Sequence, residues 1–202
     1  MFRNFFLTGY RSLLKNKGYT LLNIAGLAAG LACFAFIAAW VTDELSYDRF
    51  NEKGGRIVRV VGKVTTEAES FEHAVTAVPM ARALKQDFPE VENTVRLDKN
   101  DAIVVRNGTK QFFEDKILLT DPSFFEVFSY ELSRGDEKTA LNDPYNVILT
   151  ESMAKKYFGN EDPLGKSLLI LLYDSTRTGA LYKITGIIPD PPKNAHFSGG
   201  RV

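Results

Sequence analysis

An α+β fold with one long apolar helix ahead of it is what this sequence predicts, and three observations predict it. Residues 18–42 contain no Asp, Glu, Lys or Arg. From residue 56 onward, short runs rich in Val, Ile, Leu and Phe recur between Gly, Pro, Asn and Asp clusters, the rhythm of strands and turns. Among those runs lie short stretches with apolar residues at helical spacing. The reading is one N-terminal transmembrane helix followed by a mixed α+β extracytoplasmic domain, with mixed or antiparallel sheets. It divides the chain into a basic leader over 1–19, a membrane helix over 20–45 and a folded domain over 46–202.

The leader carries Arg3, Arg11, Lys15 and Lys17 and no acid, although the whole chain balances 25 basic against 25 acidic residues. Phe2, Phe5, Phe6, Leu13 and Leu14 are interspersed with those cations, a pattern compatible with a helix lying on the membrane surface against anionic headgroups. Overall neutrality implies no general affinity for nucleic acid.

At about 1.5 Å per residue, residues 21–41 span about 31 Å, enough to cross a hydrocarbon core of about 30 Å. Asn23 falls near one end and Trp40 near the other, where the interface accepts them. The far flank opens with Asp43, Glu44 and Asp48, so the positive-inside rule puts the N-terminus in the cytoplasm and the chain from about residue 46 outside. A cleaved secretory signal has a shorter apolar core and a small-residue cleavage site, which Ala38-Ala39-Trp40-Val41 does not offer. Gly30-Leu31-Ala32-Cys33 resembles a weak lipobox, but the apolar run continues for eight residues past Cys33. Gly26 and Gly30 form a G-x-x-x-G pair, a spacing that lets a second helix approach closely in lipid.

In the domain, residues 56–66 read as a strand from their β-branched content, and 79–88 as a short helix with Met80, Leu84 and Phe88 on one side, stopped before Pro89. Residues 91–97 read as a strand. AIVVRNGTKQFF is a hairpin joined at Asn107-Gly108, where both turn residues tolerate positive φ. Asn107-Gly108-Thr109 is also a glycosylation sequon, which the turn accounts for. A strand over 117–120 precedes Asp121-Pro122-Ser123, a cap for a short helix whose Phe124, Phe125, Val127 and Phe128 read as core. Strands over 146–149, 167–173 and 181–188, with a helix capped at Thr150 and ending at Gly159, complete the set.

Gly159, Gly165, Lys166 and Ser167 fall almost where a nucleotide-binding loop would put them. That loop requires four residues between its glycines and must lead from a strand into a helix. Here five residues intervene, a helix precedes and a strand follows, and Glu161 and Asp162 would repel a triphosphate. The stretch is a helix-to-strand connection. His73 and His196 are the only histidines, Cys33 lies in the apolar span, and no spacing of Cys and His suits a metal. No G-x-S-x-G or H-E-x-x-H occurs, and the carboxylates sit at turns and caps. The expectation is a non-enzymatic chain with no catalytic, cofactor-binding or metal-binding residues, whose one candidate site is the helix-packing pair Gly26 and Gly30.

Six stretches, in order, resemble one family: KNKGYTLLNIAGLAAGLACF, ELSYDRFNEKGGRIVRV, FPEVENTVRL, DPSFFEVFSYELSRGDEKTAL, VILTESMAKKYFGNEDPLGKSL and YKITGIIPDPPKNAHF. They are similar to the N-terminal span and MacB-like periplasmic core domain of FtsX/MacB-type ABC transporter permeases. The resemblance implies a permease subunit in the bacterial inner membrane, with a separate ABC-type ATPase that binds ATP. It further implies a homodimer or a heterodimer with another permease, contact with lipid, and periplasmic or outer-membrane partners. Such permeases transmit ATP-driven motion to the periplasmic domain for export or mechanotransmission, and antimicrobial peptides, lipoproteins, macrolides and cell-wall regulation are all associated with them. Transmission requires a stiff element; no Pro or Gly interrupts residues 31–52, so a continuous helix through Asp43, Glu44 and Leu45 is expected. Family members continue past a His-Phe such as His196-Phe197 through further spans, so the resemblance implies a chain truncated at its C-terminus. The alternative function is a stand-alone, membrane-anchored sensor or binding module, which needs only one span.

Overall fold

The computed structural model describes residues 10–11, 13–65, 69–100, 103–115, 117–171 and 179–196. The chain separates into two units, residues 1–47 and 48–202.

The first unit is dominated by α1, Lys17–Glu44, 28 residues and about 42 Å long at 1.5 Å per residue. None of its residues is buried. An apolar helix of a soluble core would be covered, so its composition is not explained by internal packing. Residues 13–15 are also helical, with a turn at Asn16 before α1 begins at Lys17. The surface-helix expectation for the leader falls largely on residues 1–9, outside the described residues. As expected, the helix reaches Leu45, whose torsions are still helical and whose N–H donates to Val41 O at 2.9 Å. After Glu44 the chain enters turns through Phe50, and Ser46 Oγ donates to the Asp43 carbonyl at 2.6 Å, occupying an acceptor that a further helical turn would have used.

The second unit is built on a six-stranded sheet. Its strands are β4 (Ile103–Asn107), β5 (Lys110–Glu114), β7 (Arg134–Gly135), β8 (Asn146–Thr150), β9 (Ser167–Leu171) and β10 (Ala180–Ile188). The path runs β5-β4-β9-β10-β7, with β8 parallel to β10 and the other pairs antiparallel, so the sheet is mixed. The parallel pair needs a crossover, which α4 (Glu151–Phe158) and β9 provide. Alternation places Ile103, Val105, Leu168 and Ile170 on one face, where Tyr157 and Phe158 of α4 pack against them with Ile184 and Ile187. Ile184 has 0% exposure.

Four remaining strands pair outside that sheet. β1 (Gly62–Thr65) and β2 (Ser70–His73) form one two-stranded ribbon; β3 (Leu97–Asn100) and β6 (Ile117–Thr120) form another. Helix α2 (Met80–Asp87) lies between β2 and β3 in sequence, and α3 (Phe124–Val127) follows β6. Phe124, Phe128 and Tyr130 make a second core, against which Phe50, Ile57, Val95 and Leu118 pack.

The hairpin at Asn107-Gly108, the core role of Phe124 and Phe128, and the Thr150 cap accepting from Met153 N–H at 3.3 Å all match expectation. The strand expected over 56–66 is shorter. A 3-10 turn occupies Gly54–Arg56, residues 57–61 belong to no strand, and pairing starts at Gly62. The strand expected over 91–97 starts at Leu97, because the Arg96 N–H is taken by Asp121 and not by a neighbouring strand. Ser123 precedes α3 without a side-chain cap; its hydroxyl donates to Thr94 O at 2.7 Å. For β9 the described residues end at Leu171, so the expected extension to Tyr173 lies outside them.

Gly135 shows how tightly β7 meets β10. Its φ is +108°, and a Cβ there would sit 2.6 Å from Thr185 O and 2.9 Å from Gly186 Cα. Gly135→Ala therefore strains a backbone torsion and forces two strands apart. The expected cost is about 2–4 kcal/mol, read as a lowered midpoint in chemical denaturation of the detergent-solubilised chain, whereas Gly108→Ala at the open turn costs about 1 kcal/mol.

Candidate functional site

Three places could carry function: the apolar helix, the point where the chain enters the folded domain, and the connection between α4 and β9.

On α1, Gly26 and Gly30 stand one turn apart, and a Cβ built on either meets nothing within 4 Å. That strip is open. Cys33 is exposed on the same helix.

The domain begins at Asp48, which adopts φ +54°, a conformation Asp tolerates better than most non-glycine residues. That twist aims both the backbone and the carboxylate of Asp48 at the segment following β10. The Asp48 N–H donates to Asn194 O at 2.9 Å, the His196 N–H donates to Asp48 Oδ1 at 3.0 Å, and His196 Nδ1 meets the other carboxylate oxygen. Asn51, only 7% exposed, extends the clasp inward. Its side-chain amide donates to Asp48 O at 3.2 Å and its oxygen accepts from Ser129 N–H at 3.0 Å. The Glu52 N–H donates to Ser129 Oγ at 3.0 Å, and Phe50 meets Tyr130 edge-on with centroids 5.0 Å apart. Burial, then the Asp48 charge, pushes the Tyr130 hydroxyl up to about 12, so it stays protonated. Segments far apart in sequence, 48–52, 129–130 and 194–196, are thus fastened together.

A second tie holds the α2 side of the domain. Arg96 grips Asp121 through its backbone N–H at 2.9 Å and a two-nitrogen fork, and the hydrogen bonds from Arg96 hold the Asp121 carboxyl below its usual range. At the start of α4, Asp190 accepts from Ser152 Oγ at 2.6 Å and from Ser152 N–H at 3.3 Å, and these bonds lower its pKa in turn.

The α4-to-β9 connection is structural. Gly159 N–H closes α4 on Lys155 O, Gly165 N–H donates to Ile184 O at 2.8 Å, and Leu164 N–H donates to Asp162 Oδ1. These donors face the protein. Glu161 pairs with Lys166 at 2.6 Å and Asp162 with Arg134 at 2.6 Å, each carboxyl drawn below its ordinary range by that bond. Lys166 also lies over Phe158 at 5.3 Å. No phosphate cradle remains. The hairpin turn is likewise engaged, since Asn107 Nδ2 and Lys110 Nζ both donate to Tyr157 O, at 3.1 and 3.2 Å. Below it, the carboxylate of Glu114, 7% exposed, accepts from Tyr157 Oη at 2.6 Å and from Lys156 at 2.7 Å. Burial first, then that hydrogen bond, pushes the Tyr157 hydroxyl up.

Among the described residues, no three His, Cys, Asp or Glu side chains converge as a metal site. The Asp48 clasp is the feature that sequence reading missed. Its visible signal was Asp48 followed by Asn51, two residues suited to turns and to bonding their own backbone, just past the apolar segment.

Two outcomes test the geometry. Asn51→Ala leaves the Ser129 N–H without its acceptor and costs about 2 kcal/mol in denaturation of the full chain. A carboxyl with a depressed folded pKa contributes stability that is complete above its unfolded value and is lost as pH falls through the folded one. Acid therefore weakens the domain below about pH 4, and Asp121→Asn flattens that dependence while costing about 1–2 kcal/mol at neutral pH.

Residues 20–202 match the family described as MacB-like periplasmic core domain. A solved domain assigned to a permease protein of Porphyromonas gingivalis is similar at 28% identity and a TM-score of 0.52, over 62% of this chain and 51% of that one. The periplasmic region of MacB from Actinobacillus actinomycetemcomitans is similar at 23% identity and a TM-score of 0.41, over 55% and 49%. The extracellular domain of the ABC-type transporter YknZ from Gram-positive bacteria is similar at 18% identity and a TM-score of 0.35, over 46% and 47%. This chain thus spans about half the length of these solved relatives. A comparison with curated proteins gives no match. With the family match covering the apolar helix and the whole α+β domain behind it, the chain belongs to the MacB-like periplasmic core domain family of FtsX/MacB-type permeases.

Proposed function

We propose that this chain is a permease component of an ABC transporter, working by motion and not by chemistry. Its helix α1 sits in the bacterial inner membrane with the N-terminus in the cytoplasm, and the domain from Asp48 onward is periplasmic. A partner ATPase supplies the energy, and the domain is displaced when α1 moves. The observation that carries this reading is α1 itself: 28 residues, charge-free from 18 to 42, none buried, and followed within four residues by a fastened domain. Lipid is the environment that satisfies such a surface.

The clasp supports the mechanical part. A domain attached only through a flexible linker would absorb displacement of its anchor. Here the residues that follow the helix are bonded at Asp48 and Asn51 to two distant segments, so a pull on residue 48 reaches Ser129 and Asn194 directly. Helix α1 ends at Glu44, and turns occupy residues 45–50. Gly26 and Gly30 form the face on which a second permease helix packs, in a homodimer or a heterodimer. Export of a specific cargo and contact with periplasmic or outer-membrane proteins belong to the same proposal.

Protease added to the periplasmic side of spheroplasts should digest the domain and leave a protected N-terminal fragment, and purification from membranes should bring down an ATPase. Recovery of the intact chain in the aqueous fraction would overturn the membrane reading. Recovery from membranes with no ATPase favours the anchored binding module. Cys33 offers a test of helix packing: oxidative cross-linking between copies should fall roughly fivefold in Gly26→Ile and Gly30→Ile, with membrane insertion unchanged.

A further inference from the structure

Among the asparagines of this chain only Asn107 is followed by glycine. That pair carries its own chemistry, because a glycine nitrogen has no adjacent side chain to hinder its approach to the amide carbon of the residue before it. Asn107 closes β4 and pairs with Lys110 of β5, so Gly108 and Thr109 make a two-residue loop. Gly108 takes φ +57° there, and a Cβ built on it would meet nothing within 4 Å, so the loop stands clear of neighbouring groups. The Gly108 N–H donates to no group among the described residues.

The amide that would be lost is held elsewhere. Asn107 Nδ2 donates to Tyr157 O at 3.1 Å, and Lys110 Nζ donates to the same carbonyl at 3.2 Å. Tyr157 lies in the last turn of α4. While these bonds stand, the side chain is directed at the helix and its carbon is not free to swing onto the Gly108 nitrogen. Replacing Nδ2 by oxygen would turn this contact against itself. A carboxylate would then face a carbonyl at the negative end of a helix, with Lys110 left to offset it.

We propose that Asn107 is a site of spontaneous deamidation in the folded protein, paced by release of its amide from the end of α4, and that the acid formed there undocks the β4–β5 hairpin from that helix. The Gly108 nitrogen gives up its proton to base and bonds to Asn107 Cγ; the Cγ–Nδ2 bond breaks and ammonia leaves, closing a cyclic imide. Water opens the imide at either carbonyl, giving aspartate or, with the main chain rerouted through the side chain, isoaspartate. One water is consumed, one ammonia is released, and nothing is oxidised or reduced. Every group involved belongs to β4, β5 or α4, so the site stands independently of the transport reading.

The test is peptide mass spectrometry on the full chain in detergent micelles, incubated in mildly alkaline buffer with and without enough urea to unfold the domain. In urea Asn107 should convert before any other asparagine, and in the folded chain it should still convert, about tenfold more slowly, seen as a gain of about 1 Da. Lys110→Met removes one of the two ties to Tyr157 O and should speed conversion about fivefold in the folded chain while leaving the rate in urea unchanged. Asn107→Asp reads the consequence. Exchange at the Gly159 N–H, which closes α4, should quicken about fivefold while protection in β10 stays unchanged, which shows that the domain still folds. No conversion in the folded chain, equal rates with and without urea, earlier conversion of another asparagine in urea, no acceleration in Lys110→Met, or unaltered exchange at Gly159 in Asn107→Asp would each overturn the proposal. The first three are measured on the unsubstituted chain, so they decide whether or not a variant folds.

Discussion

The strand β10 is the constraint on which the domain depends. It is nine residues long, pairs antiparallel with β9 through its first half and with β7 near its end, and runs parallel to β8 along its other edge. Three neighbours on one strand leave little freedom. The register steps between Ile184 and Gly186, and the intervening Thr185 turns its hydroxyl to Ala140 O at 2.8 Å, so even the irregularity is hydrogen-bonded. Because β10 is pinned, Asp190 is delivered to the start of α4 and the segment 194–196 to Asp48. The clasp at the front of the domain is thus a consequence of strand order at its centre.

A single carboxylate at Asp48 organises that clasp because of an unusual torsion. In the left-handed region successive peptide groups turn enough for one residue to offer its N–H and both carboxylate oxygens to the same partner segment. Coulombic attraction contributes little at an exposed histidine, and the directional backbone bonds fix the geometry. Tyr130 and Phe50 beneath it add area that excludes water from Asn51. Fastening and packing reinforce each other here, and neither alone would tie three distant segments.

Much of this was legible in the residues. The apolar helix, the hairpin at Asn107-Gly108, the Thr150 cap, the α4-to-β9 connection and the phenylalanine core all rest on short-range rules of spacing and turn chemistry, and the structure places each as those rules require. What was illegible depends on distant partners. Residues 57–61 have the composition of a strand, but pairing is a property of two segments, and composition describes one. Ser70 to His73 carries polar residues and a single Phe, so β2 is visible only through its partner β1. The clasp joins residues 148 apart, a separation no local pattern encodes. The helix expected to run through Leu45 does so, its last N–H reaching Val41 O at 2.9 Å, an end that lies within the reach of local rules.

The engaged amide of Asn107 has a consequence for anyone producing this domain in a eukaryotic secretory host. Glycan transfer requires the asparagine amide to be presented free in an extended acceptor loop, whereas folding commits it to the end of α4. The two fates exclude one another. Sugar occupancy at that position would therefore work as a stopwatch, recording how often the oligosaccharide-transferring machinery reaches the nascent chain before the β4–β5 turn docks on its helix.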